Sequence, residues 1–185
     1  VIQINDINTL TSELANNEVF REIKSLNPSL TFEFSRLVRD TPDVKSLLCV
    51  TTVGKNPSAL IHIYKAPIDS TRTKGSSIEY SKLKINIEKS ENNILYSANI
   101  EDFTLRSTSQ LLIENCIRKF QQKAKPNQEN LFDKIYATLD TSAPLNFLVQ
   151  PKSEELIEKT IGSIPLAPKI NHDWNAYDLN FENSG

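Results

Sequence analysis

Apolar positions near helical spacing run through the first 26 residues. Leu10, Leu14, Ile23 and Leu26 form one stripe, Val19 and Phe20 a second, and Asn27-Pro28 ends the helix they predict. The period then changes to two. Leu30, Phe32 and Phe34 alternate with Thr31, Glu33 and Ser35, which predicts a strand. Asp40-Thr41-Pro42-Asp43 is a turn, Ser46 to Val53 a nearly continuous apolar strand, Gly54 to Pro57 a second turn, and Ala59 to Tyr64 a hairpin partner strand. Residues 66–77 hold Pro, Gly and several hydroxyls around two bases and read as a loop.

The next apolar run changes phase. Ile78 and Tyr80 are even, whereas Leu83, Ile85 and Ile87 are odd, so one strand with a bulge near Ser81-Lys82 is expected. Ser90 to Asn93 turns the chain, and Ile94, Tyr96, Ala98, Ile100, Phe103 and Leu105 continue an antiparallel meander. Ser107-Thr108-Ser109-Gln110 has the spacing of a capping box. The helix behind it carries Leu112, Ile113, Cys116, Ile117, Phe120 and Ala124 on one stripe, and Lys125-Pro126 stops it. Asn127 caps a further helix with Leu131, Phe132, Ile135, Tyr136 and Leu139. A late strand holds Leu145, Phe147 and Val149, and residues 152–161 form a last short helix with Gly162 as its C-cap.

These elements predict a single α+β domain over residues 1–162, an antiparallel sheet of about six strands packed by flanking helices. Residues 163–185 differ in texture. Lys169 stands against Asp173, Asp178 and Glu182, while the first 162 residues hold 20 bases and 20 acids, so an acidic, aromatic C-terminal arm follows a neutral body.

Composition narrows the chemistry. With 185 residues, 38% apolar and 24% charged, the chain can bury a core without a metal or disulfide scaffold. No apolar run reaches the ~20 residues of a membrane helix. Gly54, Gly75, Gly162 and Gly185 are too scattered to cradle a phosphate, and Cys49, Cys116, His62 and His172 give no local zinc spacing. No cofactor or metal is expected. Unglycosylatable sequons and two lone thiols favour an intracellular home. The absence of Met, including at position 1, suggests a removed segment or a longer parent chain.

Both thiols lie on apolar stripes and read as buried and inert, and His62 as a packed histidine. No catalytic residue is nominated. Trp174, Tyr177 and Phe181 stand at i, i+3 and i+7, so a helical arm would carry three rings on one face for a protein partner with an apolar, basic-rimmed groove; packing back on its own domain is the alternative. Lys65, Arg72, Lys74 and Lys82 could offer donors to a phosphate group, whereas a neutral body argues against nucleic acid.

The order of elements, strands followed by a capped helix after Thr104-Leu105-Arg106, resembles the pleckstrin-homology-like roll over about residues 29–124. The helix lacks the Trp many members carry, and residues 127–161 have no counterpart. The resemblance implies that the basic loop at 65–75 would bind a phosphoinositide headgroup or a protein. The expected function is therefore a non-catalytic adaptor or subunit of a multi-subunit complex, with phosphoinositide or phosphate binding through the basic loop as the alternative.

Overall fold

Among the described residues the elements in chain order are β1 (Ile2–Ile4), α1 (Ile7–Asn16), α2 (Pro28–Val38), β2 (Ser46–Val53), β3 (Asn56–Lys65), β4 (Ser76–Tyr80), β5 (Leu83–Ser90), β6 (Asn93–Ile100), β7 (Phe103–Ser107), α3 (Gln110–Gln121), α4 (Leu131–Tyr136), β8 (Leu145–Val149) and β9 (Asn175–Leu179). These nine strands form one antiparallel sheet in the order β4-β5-β6-β7-β3-β2-β1-β8-β9. The computed structural model describes residues 1–18, 21, 24–25, 27–54, 56–66, 75–90, 93–122, 131–150, 153 and 174–181, with the side chains of residues 14, 56–58 and 131 set aside. The expected helix at 152–161 apart from Ser153, its Gly162 cap, Asn127, Ala124, His172, the 67–74 stretch, Val19, Phe20, Ile23 and Leu26 lie outside the described residues.

The sheet separates two cores. On one face α1 and α2 bury Ile7, Leu10, Leu37 and Val38 against Ile4, Leu48, Leu60, Leu95 and Leu145. On the other, Leu112, Ile113 and Ile117 of α3 cover Ala59, Ile61, Ile85, Ala98, Ile100 and Leu105. Strand alternation makes this possible: Leu60 serves the first core, Ala59 and Ile61 the second. Each fully buried Leu or Ile contributes about 1.5–3 kcal/mol.

Five sequence expectations change. Nine strands replace about six, and the roll-like order is not kept, because the sheet recruits β1 at one end of the chain and β8 and β9 at the other. The N-terminal residues open with a strand before α1, whose N-cap Asp6 accepts from the Thr9 amide at 2.9 Å and the Thr9 hydroxyl at 2.8 Å.

Residues 28–38 are helix, not strand. Asn27 accepts from the Leu30 amide at 3.1 Å, and Pro28 occupies the first turn, where its missing N–H costs nothing. Leu30, Phe34, Leu37 and Val38 then share the buried face at i, i+4, i+7 and i+8, and Phe32, placed by period two among them, is 54% exposed.

The phase change at Ser81-Lys82 is a chain reversal instead of a bulge. Both residues have positive φ, 50° and 66°, and Tyr80 pairs with Leu83, so two strands meet in a two-residue hairpin of the type whose twist matches a sheet. The cap of α3 shifts by two residues: Ser109 accepts from the Leu112 amide at 3.4 Å, while Ser107, in β7, donates to the Leu60 carbonyl at 2.6 Å. Gln110 turns to Glu114 at 2.7 Å and closes no box.

Candidate functional site

The C-terminal arm supplies β9, antiparallel to β8 with Tyr177 opposite Phe147 and Asp178 opposite Asn146. The helical face expected of Trp174, Tyr177 and Phe181 is not formed. Period two separates the rings: Tyr177 lies with Phe147 on the side where Phe181 packs against the first core, and Trp174 meets α4 on its own.

Around Trp174 the fold assembles a row of rings. Its indole meets Phe132 edge-on, with centroids 4.9 Å apart and planes at 68°, and Phe132 stacks on Tyr136 at 5.7 Å and 23°. Phe132 and Tyr136 are four residues apart on α4, hence on one helical face. Tyr136 remains 42% exposed, and the carboxylates of Asp133, Asp140 and Asp178 are exposed on the same elements or the turn between them. The sequence places Phe132 and Tyr136 four residues apart on one helix, but does not show that Trp174, just ahead of β9 and 42 residues from Phe132, meets them.

Polar groups fasten the arm. Asn146, fully buried, accepts from Asn5 Nδ2 at 2.6 Å and donates to the Asp140 carbonyl at 2.9 Å and to Asp178 Oδ1 at 2.7 Å. Gln3 Nε2 donates to Asn5 Oδ1 at 2.7 Å, so β1, β8 and β9 share one network. Asp140 Oδ1 accepts from the amide and hydroxyl of Ser142, which holds its carboxyl below the ordinary range.

His62 and Arg106 are hydrogen-bonded to backbone carbonyls, and both thiols pack against the second core. His62 is fully buried, with Nδ1 3.1 Å from the Leu37 carbonyl at the end of α2. A carbonyl only accepts, so Nδ1 carries the proton and Nε2 is bare; Nε2 has no partner among the described residues. Burial, opposed by the Leu37 bond and reinforced by the charge of Arg106, lowers its pKa to about 4. Arg106 Nη1 donates to the same Leu37 carbonyl at 3.1 Å and to that of Arg39 at 2.6 Å, so a cation meets the negative end of α2. Burial raises the pKa of Cys49 and of Cys116, both half-buried against the second core. A raised thiol holds little thiolate at neutral pH.

Of the basic residues expected to meet phosphate, Lys65 and Lys82 are exposed and Arg72 and Lys74 lie outside the described residues. Lys65 ends β3 beside Phe103, and Lys82 sits at the β4–β5 hairpin. Both are at one end of the sheet, with three interstrand spacings, about 14 Å, between β3 and β5. Among the described residues no group of three or more His, Cys, Asp or Glu could hold a metal ion, and no helix is long and apolar enough to cross a membrane. Comparison with family models, curated proteins and solved structures gave no match, so the α+β architecture is established by the sheet and its helices alone.

Proposed function

We propose that the protein is a non-catalytic protein–protein interaction domain, an adaptor or subunit of a larger assembly, and that it meets its partner through the Phe132, Tyr136 and Trp174 surface. The observation that carries this reading is the aromatic row itself: Phe132 touches both Trp174 and Tyr136, the Tyr is 42% exposed, and exposed acids stand on the same elements and the segment after α4. Aromatic anchors dominate binding energy at interfaces because a rigid ring removes much apolar area from water at little entropic cost. The acids select a partner whose groove is apolar and basic at its rim. The structural duties of His62, Cys49 and Cys116 add support, since a group spent on packing is not available for chemistry.

Affinity purification from the native cell tests the proposal. Tyr136→Ala, which removes a half-exposed ring, is expected to leave the melting temperature within about 3 °C of the wild type and to lose the protein captured by the wild-type chain. Phe181→Ala, which opens the first core, should lower the melting temperature and keep that protein below the transition. Retention of every wild-type partner by Tyr136→Ala would end the reading.

A further inference from the structure

The opposite edge of the sheet carries a separate inference, independent of the aromatic surface. β4 is an edge strand, and no described residue pairs with its outer side. Its five residues, Ser76-Ser77-Ile78-Glu79-Tyr80, include no Lys and no Pro, the residues that usually protect an edge from another strand. Ser76, Ser77 and Glu79 are exposed. Gly75 lets the chain reach this edge lying flat on β5, because a Cβ there would enter the van der Waals shell of the Ile87 carbonyl oxygen.

Hairpin geometry decides which backbone groups face outward. In a two-residue loop the flanking pair, Tyr80 and Leu83, exchanges both hydrogen bonds. Alternation then turns the N–H and C=O of Ile78 toward β5 and those of Ser77 and Glu79 toward solvent. Two outward residues separated by one inward residue are self-complementary. About a two-fold axis through Ile78, Ser77 of one copy stands opposite Glu79 of the other, and the two pairs exchange four backbone hydrogen bonds.

Side chains fit the same register. Ser77 and Glu79 point to one face, where a hydroxyl of one copy meets a carboxylate of the other and no like charges are opposed. Ile78, which packs against the second core with Tyr80, would meet its own copy as the close, non-bonded pair of the ladder. We propose that β4 pairs antiparallel with β4 of a second copy of this chain, centred on Ile78, joining two nine-stranded sheets into one. A five-residue ladder buries less than the ~1,200 Å² of a standard interface, so the dimer is weak and concentration-dependent.

Sedimentation equilibrium of the full chain from about 5 to 500 µM reads this directly. The wild-type mass is expected to rise from 20.9 kDa toward twice that value. Ser77→Pro deletes an outward N–H and no β4–β5 bond; it should remain at one chain's mass with an unchanged melting curve.

Cysteine cross-linking fixes the register. Ile78→Cys is expected to form a disulfide dimer at least about tenfold faster than Ser77→Cys or Glu79→Cys alone, because only position 78 meets itself at a Cα separation that a disulfide spans. An equimolar mixture of Ser77→Cys and Glu79→Cys should cross-link where neither does alone. The wild-type chain controls for Cys49 and Cys116. A constant mass of 20.9 kDa across the range overturns the proposal, as does equal cross-linking at 77, 78 and 79. Should Ile78→Cys unfold, the mixture of the two exposed positions still decides the register.

Discussion

His62 ties stability to pH. In the folded chain its pKa is lowered to about 4, chiefly by burial, while an unfolded imidazole titrates near its ordinary 6.5. The unfolded state therefore binds a proton first on acidification. A depressed histidine contributes stability that is intact above the unfolded pKa, begins to be lost as the pH falls through 6.5, and is fully lost below the folded value. The complete loss is about 3 kcal/mol for a difference of this size. By about pH 5.5, where an unfolded histidine is some 90% protonated and carboxylates have barely begun to titrate, about 1 kcal/mol has gone relative to pH 7.5.

Urea unfolding of the wild type and of His62→Asn at these two pH values isolates the contribution. Asn places an amide donor near Nδ1 and can retain the bond to the Leu37 carbonyl, but it cannot titrate. Its absolute stability is expected to fall, since a ring is lost from the core, yet the stability difference between the two pH values should shrink by about 1 kcal/mol relative to the wild type. Side-chain nitrogen NMR should show the proton on Nδ1 across this range. An identical pH dependence in the two proteins, or a proton on Nε2, would refute the assignment of His62 as a neutral cap of α2.

Two other perturbations follow from the geometry. Asn146→Ala deletes three hydrogen bonds at a fully buried residue and is expected to cost about 3 kcal/mol, a fall in melting temperature of about 6–12 °C by calorimetry. Asp178→Ala, at an exposed carboxylate, should cost less; the reverse order would mean that the network does not hold β9. Replacing Ser81-Lys82 by Asn-Gly relieves two left-handed residues in a hairpin turn and is expected to stabilise the chain by about 1 kcal/mol in urea unfolding, whereas a bulge within a single strand would gain nothing.

Where local pattern and final environment agree, the sequence was legible. β2, β3, the strand partners on either side of the Ser90–Asn93 turn, α3 and β8 were all readable, because each carries an apolar run or stripe bounded by turn residues. Failures occurred where two periods fit one short run. Leu30, Phe32 and Phe34 satisfy a strand, and only the inclusion of Leu37 and Val38 with the Asn27 cap selects a helix. Ile78 to Ile87 satisfies a bulged strand or a hairpin equally, because a reversal and an extra residue both change phase.

The candidate site was legible in part. Trp174 and Tyr177 stood out by residue type, since large aromatics in a polar arm need a surface to cover. Their arrangement did not, because i, i+3 and i+7 places three rings together only on a helix.

By itself the sequence determined the α+β class, the apolar segments that must leave water, the turns that punctuate them and the absence of clustered metal-ligand and phosphate-loop motifs, all consequences of residue type and short-range spacing. Tertiary structure alone decided that β1, β8 and β9 join the meander in one sheet, that Trp174 meets Phe132 across 42 positions of chain, and that His62 stays neutral beneath α2. The reason is physical: strand pairing and burial depend on which distant segments become neighbours, and a backbone donor or an apolar face is complementary to many partners until the fold selects one.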